Sequence, residues 1–97
     1  MKRKNTQSIA DVLKDFFEDN AGLYEKILEE RIRRGWEEVL GPVIMRYTQN
    51  LYIRNQVLYV SLTSSVLRNE LTLSRERLVK SLNDYAGANV IRHIVIR

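Results

Sequence analysis

Over the N-terminal part of the chain, apolar residues recur every three or four positions, the spacing of a helix with one buried face. In "SIADVLKDFFED" they are Ile9, Val12, Leu13, Phe16 and Phe17. Ser8 precedes them as an N-cap, and Asp11 suits the positive first turn. Asn20 and Gly22 then break the pattern. A second helix is predicted from about Leu23 to Leu40, with Leu23, Ile27, Leu28, Ile32, Trp36, Val39 and Leu40 as its stripe. Gly35 interrupts it at a cost of about 1 kcal/mol relative to alanine. Gly41 fits a C-terminal stop, and Pro42 the first turn of a short helix, "PVIMRY".

The period then changes to two. In "LYIRNQVLYVSL", residues 51–62, apolar and polar residues alternate on both sides of Asn55-Gln56. A two-residue turn there sets Arg54 opposite Val57, Ile53 opposite Leu58, Tyr52 opposite Tyr59 and Leu51 opposite Val60. One face becomes Leu51, Ile53, Leu58, Val60 and Leu62; the other becomes Tyr52, Arg54, Val57, Tyr59 and Ser61. A one-residue slip would mix the two sets, so the pattern selects this register. Helical spacing returns in a single long helix, capped by Ser64 or Ser65 and ended by Gly87, with a stripe of Leu67, Leu71, Leu78, Leu82 and Tyr85. The β-branched "VIRHIVIR" closes the chain as a third strand. The order is α-α-(short α)-β-β-α-β. It predicts a single small α+β domain over residues 6–97, preceded by a flexible basic arm over residues 1–5, with the long helix on one face of a mixed sheet.

Composition narrows the function. The chain has 97 residues, no cysteine and one histidine, His93. Thiolate metal sites and disulfides are excluded, and a lone histidine in a strand is expected to be structural or exposed, so no metal and no cofactor are expected. No apolar run reaches membrane length, and the basic start lacks the apolar core of an export signal. A cytoplasmic setting is the expectation. The serines have no cue for a triad, and the glycines are isolated, so no phosphate loop forms. The chain does not read as an enzyme.

The charge is divided. Residues 1–41 hold 8 Lys/Arg and 9 Asp/Glu, whereas residues 42–97 hold 8 and 3, net +5. A concentrated basic half suits a polyanion. Tyr52 and Tyr59 with Arg54 on one sheet face would let single-stranded bases stack. Alternatively, the two rings only brace the hairpin, or the first helix buries them. Arg68 and Arg75 lie within about 60° of the long helix's stripe. They either snorkel and pair locally or reach phosphates beside the sheet. Trp36 reads as core. Phe16 and Phe17 straddle the edge of their stripe, and an exposed phenylalanine among acids suits a protein partner.

"RGWEEVLGPVIMRYT", "LYIRNQVLYVSLTSSVLRNEL", "LVKSLNDYAG" and the closing "VIRHIVIR" together resemble the DciA-like family, strongly over about residues 30–97 and more loosely before. The marks are Trp36 and Gly41 of "WEEVLG", a strand ending in Ser-Ser, Leu71 of "NEL", and "LN...G" ending at Gly87. The resemblance implies a KH-like fold. It also implies an accessory or loader of the bacterial replicative helicase that binds both the helicase and DNA. No GxxG loop is present, so the usual KH clamp on a nucleic-acid backbone is not expected. Two readings follow. One is a single-stranded DNA-binding helicase accessory; the other is a protein–protein adaptor with no nucleic-acid contact of its own.

Overall fold

The structure, a computed structural model, describes residues 8–97. The basic arm expected over residues 1–5 lies outside the described residues. The elements are α1 (Ile9–Asp19), α2 (Leu23–Leu40), α3 (Pro42–Arg46), β1 (Thr48–Arg54), β2 (Val57–Leu62), α4 (Ser65–Leu73), α5 (Arg75–Ala86) and β3 (His93–Ile96). The strands form one mixed sheet in the order β1-β2-β3, antiparallel between β1 and β2 and parallel between β2 and β3. The molecule is a small α+β domain with helices packed on one sheet face.

The hairpin takes the predicted register, with Leu51, Tyr52, Ile53 and Arg54 opposite Val60, Tyr59, Leu58 and Val57. Asn55 and Gln56 both have positive φ, 53° and 64°. That is a type I′ turn, whose twist matches the twist of the strands it joins. β1 starts earlier than the alternation indicated, at Thr48, through a bulge between Thr48 and Asn50.

The core forms where the helices meet the apolar sheet face. Ile32 and Trp36 of α2, Leu58, Val60 and Leu62 of β2, Leu71 of α4, Leu78 and Leu82 of α5, and Ile94 of β3 are buried together. Trp36 is fully enclosed, yet its indole N–H is satisfied. It donates to Thr48 Oγ1 at 2.9 Å, and that hydroxyl donates to Ile44 O at 2.9 Å. Gly41, at φ 94°, turns the chain between α2 and α3, and Gly87, at φ 80°, ends α5 in the left-handed region.

Gly35 has a packing reason that the sequence pattern conceals. A Cβ there would sit 2.9 Å from Tyr85 Cδ1 and 3.4 Å from Leu82 Cδ2. The missing side chain lets α2 and α5 close together. Asn83, a buried polar residue, holds the loop before β3. Its Nδ2 donates to Ile91 O at 2.8 Å, and its Oδ1 accepts from Val90 N at 3.0 Å and Ile91 N at 3.1 Å. Val90 and Ile91 are therefore buried loop, and the third strand is shorter than "VIRHIVIR" indicated.

Two expectations need correction. The single long helix is two helices, broken at Ser74, whose φ of −110° and ψ of 17° leave the helical line. The Ser74 N–H bonds back three residues to Leu71 O, a tightened final turn. α4 packs on β2 and β3, whereas α5 packs on α2 and β3, so the two halves follow different axes. Thr72 and Ser74 are weak helix formers and yield there. Leu67, Leu71, Leu78 and Leu82 still face the core, but Tyr85 stays 45% exposed, laid across Gly35. The second correction concerns α1, whose apolar stripe reaches no core: none of its residues is buried. Its ring contact with α2 is Phe17 on Tyr24, centroids 5.0 Å apart.

Candidate nucleic-acid interface

Period-two alternation sends every second strand residue away from the core. On β1 these are Asn50, Tyr52 and Arg54; on β2, Val57, Tyr59 and Ser61. β3 adds His93 and Val95, which pair with Val57 and Tyr59, and Arg97 follows at its end. None of the three strands contains Asp or Glu. The face is therefore aromatic and polar, with cations at both ends and no opposing carboxylate in the strands.

The question of what covers the tyrosines has an answer. α1 does not lie over them; Tyr52 is 40% exposed and Tyr59 is half-buried. Their rings stack, centroids 5.0 Å apart and planes 11° from parallel. Such a pair contributes roughly 0.5–1.5 kcal/mol beyond its buried area. Arg97 joins them. Its Nη2 donates to the Tyr52 hydroxyl at 2.7 Å, and its guanidinium carbon lies 5.3 Å from the Tyr59 ring centre. The pattern reading passed over Arg97. The signal was present, since "HIVIR" alternates Ile94 and Ile96 toward the core with His93, Val95 and Arg97 away from it.

Tyr52, Arg54 and Tyr59 thus share one face. Arg68 does not join them: its Nη1 donates to Leu62 O at 2.9 Å, and it is half-buried on α4. There it holds the end of β2. Arg75 starts α5 and lines a groove of about 210 Å³ with Glu76, Val79, Arg92 and His93, at the β3 side of the sheet. At the opposite edge, Arg33 of α2 donates to Leu51 O at 2.8 Å while staying exposed. It covers part of the free β1 edge, a position that otherwise invites strand pairing.

Phe16 and Phe17 lie far from this face in the fold. Phe16 is exposed, and Phe17 meets it edge-on at 5.5 Å. Phe17 and Tyr24 floor a groove of about 540 Å³ between α1 and α2, with Ala10, Leu13, Lys14 and Glu18 along it. Residues 8–29 around it carry 2 Lys/Arg and 6 Asp/Glu.

Among the described residues, no three His, Cys, Asp or Glu side chains gather as metal ligands, and no helix is long and apolar enough to cross a membrane.

Comparison with curated proteins gives no match, and comparison with solved structures gives none. A family model described as "Dna[CI] antecedent, DciA" matches residues 8–96. That span takes in every described element, from α1 to β3. The chain therefore belongs to the DciA family.

Proposed function

We propose that this domain is a non-enzymatic accessory of bacterial DNA replication, acting in the cytoplasm, that binds single-stranded DNA on its open sheet face and the replicative helicase through other surfaces. Family membership supports the replication role. The single observation that carries the DNA half is the solvent-open Tyr52–Tyr59 stack, with Arg54 and Arg97 beside it and no carboxylate in the strands. Bases bring π faces to the rings, and phosphates bring charge to the guanidiniums. Arg75 extends the cationic border past His93. Arg68, bonded to Leu62 O, contributes to this reading only through the shape of the strand end.

A second reading is favoured by α1. Its exposed Ile9, Val12, Leu13 and Phe16 form an apolar surface among acids, which suits a protein partner. In that adaptor reading, Phe16 and Phe17 make the helicase contact and the sheet face touches no DNA.

Both are tested by measuring binding to the purified replicative helicase and to single-stranded DNA, first separately and then together. The proposal expects Tyr52→Ala with Tyr59→Ala to weaken DNA binding and leave helicase binding intact, and Phe16→Ala with Phe17→Ala to do the reverse. Helicase binding with no measurable DNA binding in the unaltered protein would reject the first reading in favour of the adaptor.

A further inference from the structure

The arginines of this domain fall into two groups. Arg31, Arg68 and Arg97 each donate to a carbonyl or hydroxyl oxygen. Arg33 and Arg34 share Glu30, and Arg33 also bonds Leu51 O. Among the described residues, Arg54, Arg75 and Arg92 make no side-chain hydrogen bond or ion pair, and all three are exposed. They gather at one end of the sheet. Arg54 ends β1 opposite Val57, and Val57 pairs in turn with His93. Arg92 precedes His93, and its N–H donates to Gln56 O of the hairpin turn at 2.8 Å. Arg75 reaches the same end from α5. It lines the groove of about 210 Å³ with Glu76, Val79, Arg92 and His93.

His93 belongs to both surfaces. It alternates with the buried Ile94 onto the open face, and it also lines the groove. The tyrosine row lies two residues along the strands, about 7 Å by strand rise. The groove therefore continues the open face around the β3 edge. The backbone beneath its cations is fixed. Ile91, just before Arg92, bonds Asn83 through both its N–H and its carbonyl. Ser74, just before Arg75, bonds Leu71 O through its N–H.

Two unpaired guanidiniums in one groove repel each other, and an anion between them relieves the repulsion. Each offers a planar fork of donors that matches two phosphate oxygens. A carboxylate fits the same fork, but continuity with the tyrosine row favours a phosphate of a strand lying on that face.

We infer that this groove binds a backbone phosphate of the single strand that stacks on Tyr52 and Tyr59, with Arg75 and Arg92 as its ligands. The inference rests on the nucleic-acid reading above and extends it. The strand runs from the tyrosines toward the hairpin-turn end and over the β3 edge. Glu76, the carboxylate in the groove, opposes it.

The test titrates a labelled oligothymidine of about twelve nucleotides, within the usual range for a single-strand site, with the full chain at several salt concentrations. Arg75→Gln with Arg92→Gln is expected to weaken binding about tenfold at low salt. It should also flatten the slope of log affinity against log salt by about 0.7, the share of one phosphate. Arg46→Gln with Arg77→Gln removes the same charge from two unpaired arginines outside the groove. That control should cost less than about threefold, because exposed charges farther off are screened. Glu76→Gln should tighten binding about two- to fivefold by removing a like charge from the phosphate's side. Circular dichroism confirms that each variant retains its fold. A double variant no weaker than the control overturns the inference, as does weaker binding by Glu76→Gln. If binding still requires Tyr52 and Tyr59 in that case, the sheet face stands and the groove alone falls. If the unaltered protein binds no strand at low salt, the nucleic-acid reading itself falls, and this inference with it.

Discussion

At the residue scale, two positions carry more of the fold than their chemistry announces. Gly35 sits where α2 and α5 approach, with the Tyr85 ring in the space a methyl group would take. Overpacking of this kind costs about 1–3 kcal/mol, against a gain of about 1 kcal/mol in helix propensity. Gly35→Ala is expected to lower stability in urea by about 1 kcal/mol. In a Tyr85→Ala background the sign should reverse, because the clash is gone and the propensity gain remains. Asn83 is the other case. Three backbone groups of the loop before β3 bond to its amide. Val90 N–H also bonds Ala88 O, so the two Ile91 groups are the ones left unpaired; at about 1–3 kcal/mol each, Asn83→Ala should lose roughly 3 kcal/mol, read from the denaturation midpoint. Neither role was legible along the chain. A glycine inside a helix looks like a penalty until its neighbour is known. An asparagine near a helix end looks like a surface residue until the loop folds back onto it. Trp36 was legible as core, because its size and place in the stripe admit little else, but its bond to Thr48 was not.

At the element scale, the hairpin shows how much a period of two specifies. Alternation on both sides of Asn55-Gln56 fixed the pairing of Tyr52 with Tyr59, since any slip would expose Leu58 or Val60. The turn leaves Gln56 at φ 64°, a region that suits glycine better. Gln56→Gly is expected to raise stability by about 0.5–1 kcal/mol in thermal or urea unfolding; a loss would argue against the I′ geometry. The break at Ser74 was hidden for a definite reason. Leu71 and Leu78 are seven residues apart, two full turns, so the stripe runs unbroken across the bend. Only the different packing partners of α4 and α5 require two axes. Arg68 illustrates the same limit. Its position beside the stripe was legible; its choice of Leu62 O over the sheet face follows from where α4 begins. Arg97 was legible by alternation alone, but its partner, Tyr52, is 45 residues distant in sequence.

At the scale of the whole molecule, charge and shape divide together. The extents are 58 × 21 × 21 Å and the radius of gyration is 16.8 Å, against about 13 Å for a compact domain of this size. The excess length comes from α1 and the start of α2, the acidic part, which bury nothing in the core. Deleting residues 1–20 should therefore shift the melting temperature by less than about 4 °C, the equivalent of under 1 kcal/mol. The same deletion should remove the proposed helicase contact. A large fall in melting temperature would mean that α1 supports the fold after all. The basic sheet half should keep its nucleic-acid affinity in the truncated chain.

The salt dependence of single-stranded DNA binding tests the central proposal most directly. Each phosphate neutralised contributes a slope of about −0.7 in log affinity against log salt. With Arg54 and Arg97 on or beside the face, and Arg33 held by Glu30 and Leu51 O, a slope of roughly −1.4 is predicted from the face alone, so that affinity falls by roughly sevenfold or more between 50 and 200 mM salt. Tyr52→Leu should weaken binding without changing that slope, and Arg54→Gln should flatten it. Binding that ignores salt, or that survives both substitutions unchanged, would contradict the assignment of this sheet face to DNA.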